Sequence, residues 1–134
     1  MMNSNLDDLG KLLLRLAVGG LLLLHGIYKV QNGIGFVTES VVRNGLPSFF
    51  AYGVYVGEVV APILVIAGLL TRPAGLIIAV DLLFAIFLAR RADIATVRPG
   101  GAWSIETEML FLLGGLAIAC LGAGRFALGS GRLR

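Results

Sequence analysis

The chain of 134 residues holds one cysteine, Cys120, and one histidine, His25. A single thiol can neither close an intramolecular disulfide nor act as a dithiol redox pair, so any redox chemistry here must be borrowed from a cofactor or a partner. One imidazole cannot supply a paired-histidine haem site, and the carboxylates follow no metal-ligand spacing, so neither haem nor metal is expected on one chain. A phosphate-cradling glycine loop, a nucleophile elbow and a zinc motif are all missing. Charge is also scarce: 14% of residues are Asp, Glu, Lys or Arg, against 57% hydrophobic, with a mean hydropathy of +0.91. A soluble domain of this length does not need so much apolar surface. The net charge of +3 sits at helix ends and in loops, where topology and lipid head groups explain it better than nucleic acid.

What is present is four apolar runs, each about long enough to cross a bilayer. About 20 apolar residues span a typical hydrocarbon core, so four runs with short loops leave no room for a soluble domain. The expected fold is all-α: one integral membrane domain over 1–134, a four-transmembrane-helix bundle with spans at about 9–28, 49–70, 74–89 and 105–121. Asp7 and Asp8 precede the first run and no small-x-small site follows it, so it reads as a retained span rather than a cleaved signal. Either aspartate can cap its first turn. Between the first two spans, Phe36, Val37, Val41 and Val42 could line one face of a short interfacial helix ended by Gly45-Leu46-Pro47. Thr71-Arg72-Pro73 reads as a tight turn, Ser104 as the cap of the last helix, and the residues after Gly124 as a short, basic, mobile tail. Six basic residues fall on the side of the termini and five on the other, so the lean toward both termini in the cytoplasm is slight.

Each run carries ionisable residues that hydrocarbon rejects, which makes them the default functional candidates. These are Arg15, His25 and Lys29 in the first, Glu58 in the second, Asp81 in the third, and Glu106 and Glu108 opening the fourth. Glu58 is the hardest to dismiss. Pro62 cannot donate to the Glu58 carbonyl four residues earlier, so a carboxyl and a freed carbonyl share one level of the membrane. Gly53 and Gly57 form a small-xxx-small pair that suits helix packing. Counting rise per residue puts His25, Lys29, Glu58 and the fourth-helix carboxylates in one layer, and Arg15 with Asp81 in a deeper one as an ion pair. Lys29 shares a helix face with His25 and could instead snorkel, as could Arg15, while Glu106 could simply face its own helix dipole. Glu106 and Glu108 lie about 200° apart around a helix, so Glu108 is the better cavity candidate.

The order of Arg15, His25-Gly26, Lys29, Gly45-Leu46-Pro47, Glu58, Gly68-Leu69-Leu70-Thr71-Arg72, Glu106 and Leu121-Gly122-Ala123-Gly124-Arg125-Phe126 resembles the DoxX family of small four-helix bacterial membrane proteins. Two departures stand out: Ala127-Leu128-Gly129 replaces the usual serine, leucine and aspartate, and Ala89-Arg90-Arg91 stands where some members have a histidine. The resemblance implies a bacterial inner-membrane location and association with membrane oxidoreductase complexes, the family name coming from a subunit linked to a thiosulfate:quinone oxidoreductase. Two functions then compete. In the first, a partly polar pocket binds a quinone or similar lipid-like molecule within such a complex, Glu58 and His25 exchange protons with it, and Lys29, Glu108, Glu106, Arg15 and Asp81 line or support the site. In the second, the chain is a non-enzymatic scaffold, assembly factor or small-solute carrier whose polar residues lock helices or a partner's span. Expected partners are membrane lipids, an oxidoreductase subunit or a second copy of the chain, and no nucleic acid.

Overall fold

The computed structural model describes residues 4–134. Five helices carry the chain: α1 (Ser4–Asn32), α2 (Gly35–Arg43), α3 (Ser48–Ala67), α4 (Thr71–Ala89) and α5 (Glu106–Leu121). Among the described residues there is no strand, and one isolated bridge joins Val97 to Trp103. Three helices, α1, α3 and α4, are long and apolar enough to cross a membrane. The fourth expected span, α5, has 16 residues, which rise about 24 Å.

The outside of the bundle is apolar and much of the polar material is inside. Leu13, Leu24, Leu83, Phe87, Leu110 and Leu113 are exposed, while Arg15, Glu58 and Thr71 are buried. That distribution suits a lipid solvent, in which apolar side chains need no shelter and polar ones do. A core of Val18, Leu22, Val65, Ile78, Leu82 and Phe111 joins the long helices. The α4 and α5 pair crosses most tightly because Gly75 and Gly115 meet backbone to backbone. A Cβ on Gly75 would lie 2.6 Å from the Gly115 carbonyl oxygen, and the reverse substitution 2.7 Å from that of Gly75. Small residues allow this approach, the usual device where water cannot drive helices together.

Several expected boundaries shift, each for a local reason. The first helix extends past both predicted ends, so Asp7 and Asp8 lie within it and do not cap it. Asp7 pairs with Lys11, and Asp8 accepts from the Arg125 amide and pairs with its side chain. The turn after α3 is Gly68–Leu70, not Thr71-Arg72-Pro73: Gly68 adopts φ +77°, the left-handed conformation glycine takes without penalty after a helix. Proline is tolerated in a first helical turn, so Pro73 lies inside α4. Ser104 is no cap. Ile105 holds that position without a side-chain bond, and Ser104 accepts at its hydroxyl from Thr96 and at its carbonyl from Arg90. The tail is docked rather than loose, since the Leu128 and Gly129 amides bond the Ala67 and Gly68 carbonyls and Arg72 takes the Leu133 carbonyl.

The short helix between the first two spans forms as expected, and Gly45 at φ +83° ends it. Its apolar residues do not share one environment: Val41 is buried and Phe36 exposed. The Gly53 and Gly57 pair also divides. A Cβ on Gly57 would overlap the Asp81 side chain, whereas nothing lies within 4 Å of one on Gly53.

Candidate functional site

The helix α3 is irregular where Pro62 removes a donor. It opens as a 3₁₀ stretch (Ser48–Tyr52), passes through one α-helical turn (Gly53–Tyr55) and widens into a π turn over Val56–Val60 before regular helix resumes. Within that turn the Ala61 amide reaches back to the Val56 carbonyl, five residues earlier. Such π turns recur at functional sites because they re-aim side chains and free carbonyls. The freed carbonyl here belongs to Glu58, and it rests against Gly26 of α1. A Cβ at Gly26 would overlap that carbonyl oxygen and sit 2.7 Å from its carbon.

Glu58 itself is buried, and the Lys29 ammonium donates to both of its carboxylate oxygens at 2.8 Å. Lys29 therefore reaches inward rather than snorkelling. Asp81 of α4 neighbours the Glu58 carboxyl, and its Oδ2 is buried without a hydrogen-bond partner. The predicted ion pair of Arg15 with Asp81 is not formed. Asp81 lies ten residues past Thr71 and Glu58 nine before Ala67, so about 15 and 13.5 Å of rise put them level. Misplacing the intervening turn by three residues had moved Asp81 toward Arg15.

Arg15 instead ties off the end of α3. Its Nε donates to the Val65 carbonyl at 2.9 Å and its Nη2 to that of Ile66 at 2.9 Å, while Nη1 spans the carbonyls of Ala123 at 2.9 Å and Phe126 at 2.7 Å. Those carbonyls include the orphan acceptors at a helix C-terminus, which carries partial negative charge and so favours a cation.

The cavity expected around Glu58, His25 and Glu108 does not gather those three. His25 is exposed and turned away from the cavity, its Nδ1 3.0 Å from the Leu21 carbonyl oxygen and its ring edge-on to Phe111 at 5.7 Å. Glu108 lies 3.8 Å from the Arg90 guanidinium, and Glu106 is exposed in the first turn of α5. What forms is a cavity of about 460 Å³ between α2, α3 and α4, with Lys29, Glu58 and Asp81 as its charged residues. The rest of its wall is largely apolar, including Phe36, Phe50, Leu76 and Phe84, all of them exposed. Its size falls in the usual small-molecule range of roughly 300–1,000 Å³. Among the described residues no cluster of His, Cys, Asp and Glu is arranged to hold a metal.

Sequence reasoning missed two features. Arg72 bonds the Ala119, Cys120 and Leu121 carbonyls at the end of α5. Its signal was a cation placed on the same side of the bundle as a helix C-terminus. The pairing of Asp81 with Glu58 was hidden by the misplaced turn, and Gly68 was the residue that could have corrected it.

Comparison with known proteins agrees with this architecture. The DoxX family profile matches residues 10–91. The chain is 32% identical over 121 residues to the Bacillus subtilis protein named "Putative oxidoreductase CatD", covering 90% of this chain and 85% of that protein. It is 32% identical over 127 residues to the Mycobacterium tuberculosis protein named "Uncharacterized membrane protein Rv3486", covering 86% of this chain and 76% of the relative. No solved structure matches. With the family profile over residues 10–91, identity over most of the chain to both relatives, and helices long and apolar enough to cross a membrane, this membrane protein belongs to the DoxX family.

Proposed function

We propose that the chain is a multi-pass protein of the bacterial inner membrane that binds a quinone, or a similar lipid-like redox molecule, in the α2–α3–α4 cavity as a subunit of an oxidoreductase complex. The observation that carries this reading is a lipid-facing apolar cavity that contains an acid–acid–base trio with one buried acceptor, Asp81 Oδ2, left without a partner. In a membrane interior an unpaired polar atom is costly, and a head group able to donate a hydrogen bond would relieve it. The name of the Bacillus subtilis relative agrees in class.

A bound quinone would supply two-electron chemistry coupled to two protons, the electrons coming from a redox-active partner subunit. The residues of this chain hold the head group and handle protons. Glu58 and Asp81 are adjacent carboxyls, and with Lys29 the trio is neutral when one proton is shared between them. Lys29 lies three residues from the end of α1 and is about a quarter exposed, so it joins the buried Glu58 to the membrane surface. His25 does not line the cavity, and this reading gives Asp81 the proton-exchanging role expected of His25.

The test is native mass spectrometry of the protein drawn from quinone-containing membranes in mild detergent, beside Glu58→Gln. A stoichiometric quinone on the unmodified chain that is lost from the variant is expected. An empty chain, or one holding phospholipid in both forms, would leave the scaffold reading in its place.

The same reading takes α5 as a fourth span, shorter than the roughly 30 Å hydrocarbon core and accommodated by local thinning. Both termini then share the cytoplasmic face. In a Cys120→Ser background, thiols introduced by Ser4→Cys or by Ser130→Cys should each react in intact cells only with membrane-permeant reagents. Labelling of just one of them by an impermeant reagent would mean an odd number of crossings.

A further inference from the structure

The cavity has an electrostatic bias that its apolar lining conceals. Its one basic residue, Lys29, is already engaged by both oxygens of Glu58. The remaining ionisable group is Asp81, whose Oδ2 has no hydrogen-bond partner and can accept one. No cation in the cavity is therefore free to receive a phosphate, sulfonate or carboxylate. An anionic head would have to shed its water beside two carboxyl groups and an apolar wall, with no free cation to replace that water. A hydroxyl would instead supply the missing donor.

Shape points the same way. The α4 wall runs from Leu76 to Ala89, about 20 Å at 1.5 Å per residue, with Asp81 partway along it. Gly53, with nothing within 4 Å of a Cβ, keeps the opposite wall open. That is a slot for one apolar tail with a polar group part-way.

Resting on the ligand-binding reading above, we infer that the cavity selects amphiphiles by head-group charge: it takes an uncharged, hydroxyl-bearing head on a single apolar tail and rejects anionic heads, with Asp81 the residue that sets the choice. The consequence is physiological. A cavity open to the bilayer is bathed in phosphate-bearing lipids far more abundant than any redox lipid, and specificity against them needs a repulsive element as well as an attractive one. The engaged Lys29, which offers an anion no free cation, is the element that rejects, and Asp81 Oδ2 is the one that attracts.

Purified protein in detergent would be offered an equimolar mixture of decylhydroquinone, decanol and decyl sulfonate, three probes with one tail and different heads, and bound species counted by native mass spectrometry. The unmodified chain should hold the two hydroxyl probes at least about tenfold over the sulfonate. Asp81→Asn keeps the Lys29–Glu58 pair and should shrink that preference to about twofold or less. Glu58→Gln combined with Asp81→Asn removes both carboxyls, leaves the Lys29 ammonium unpaired and should move the preference toward the sulfonate, a sign change that damage to the fold would not produce. Matched melting profiles check that the variants are folded. Sulfonate held as well as the hydroxyl probes by the unmodified chain, or a preference unchanged in Asp81→Asn, would overturn the inference. Decanol cannot carry electrons, so hydroxyl selectivity without oxidation of the hydroquinone by the membrane complex would remove the oxidoreductase reading alone. Failure of all three probes to bind would remove both.

Discussion

Two polar clusters lie inside this membrane bundle, and they are built on opposite principles. Around Arg15 every guanidinium nitrogen has a carbonyl partner within hydrogen-bonding distance, and the acceptors come from the end of α3 and from the tail. Around Asp81 an oxygen is left over, a helix has lost its regular pitch, and a cavity of about 460 Å³ adjoins. A charge whose hydrogen-bonding capacity is exhausted by backbone is a clasp. A charge with capacity to spare beside a void is equipped for something that comes and goes. Burial does not separate them, since Arg15 and Glu58 are both buried.

The sharpest way to break the comparison is to cut the clasp. Arg15→Ala strands the Val65, Ile66, Ala123 and Phe126 carbonyls in a place water reaches poorly. A loss of roughly 3–5 kcal/mol follows. Thermal melting in detergent should fall by about 10 °C or more. Arg15→Lys retains the charge but not the planar fork, so it should recover only part of that loss. Ligand retention by whatever folded protein remains should be unchanged. A variant that melts normally but loses ligand would put Arg15 in the site after all.

Next comes the ion pair. Lys29→Met leaves two acidic groups in the cavity without their cation, at a cost of roughly 2–3 kcal/mol, tempered by the partial exposure of Lys29. Adding Glu58→Gln should return most of it, because the uncompensated carboxylate is gone. The melting temperatures of the four proteins in that cycle measure the coupling, and simple additivity would show that the contact contributes little. Gly26→Ala should be somewhat milder, about 1–3 kcal/mol, since its methyl group must push α1 away from the Glu58 carbonyl.

How far the sequence discloses these clusters depends on which physical signal each leaves. Hydropathy reveals the long helices, because a span must be apolar along most of its length. Pro62 four residues after Glu58 reveals the irregular turn, because a missing donor has a fixed target. Pairings between helices leave no such local mark. Arg15 and Asp81 were expected to meet because a turn was set at Thr71-Arg72-Pro73, and a three-residue error there slides α4 by about 9 Å against α3, about 4.5 Å on each helix. Read as a C-cap glycine, Gly68 would have placed the turn correctly and brought Asp81 level with Glu58. His25 illustrates a different limit. Lys29 is on the same face by spacing, yet its four-carbon stem bends to Glu58 while the shorter imidazole stays against Phe111.

The smallest expected effect is also the most selective. Gly53 faces the cavity with open space around it, so Gly53→Ala should cost no stability and gain up to about 1 kcal/mol from the better helix former. Its methyl group would nevertheless occupy part of the slot opposite the α4 wall. The melting temperature should hold or rise slightly while bound ligand declines, and a larger side chain, as in Gly53→Leu, should clear the cavity with the fold intact. At Gly57, four residues along the same helix, even a methyl group would overlap Asp81 and lower stability and binding together. Two glycines that sequence reasoning treats as one packing motif should thus respond in opposite ways, and equal destabilisation at both positions would show that the space beside Gly53 closes around the chain in the membrane.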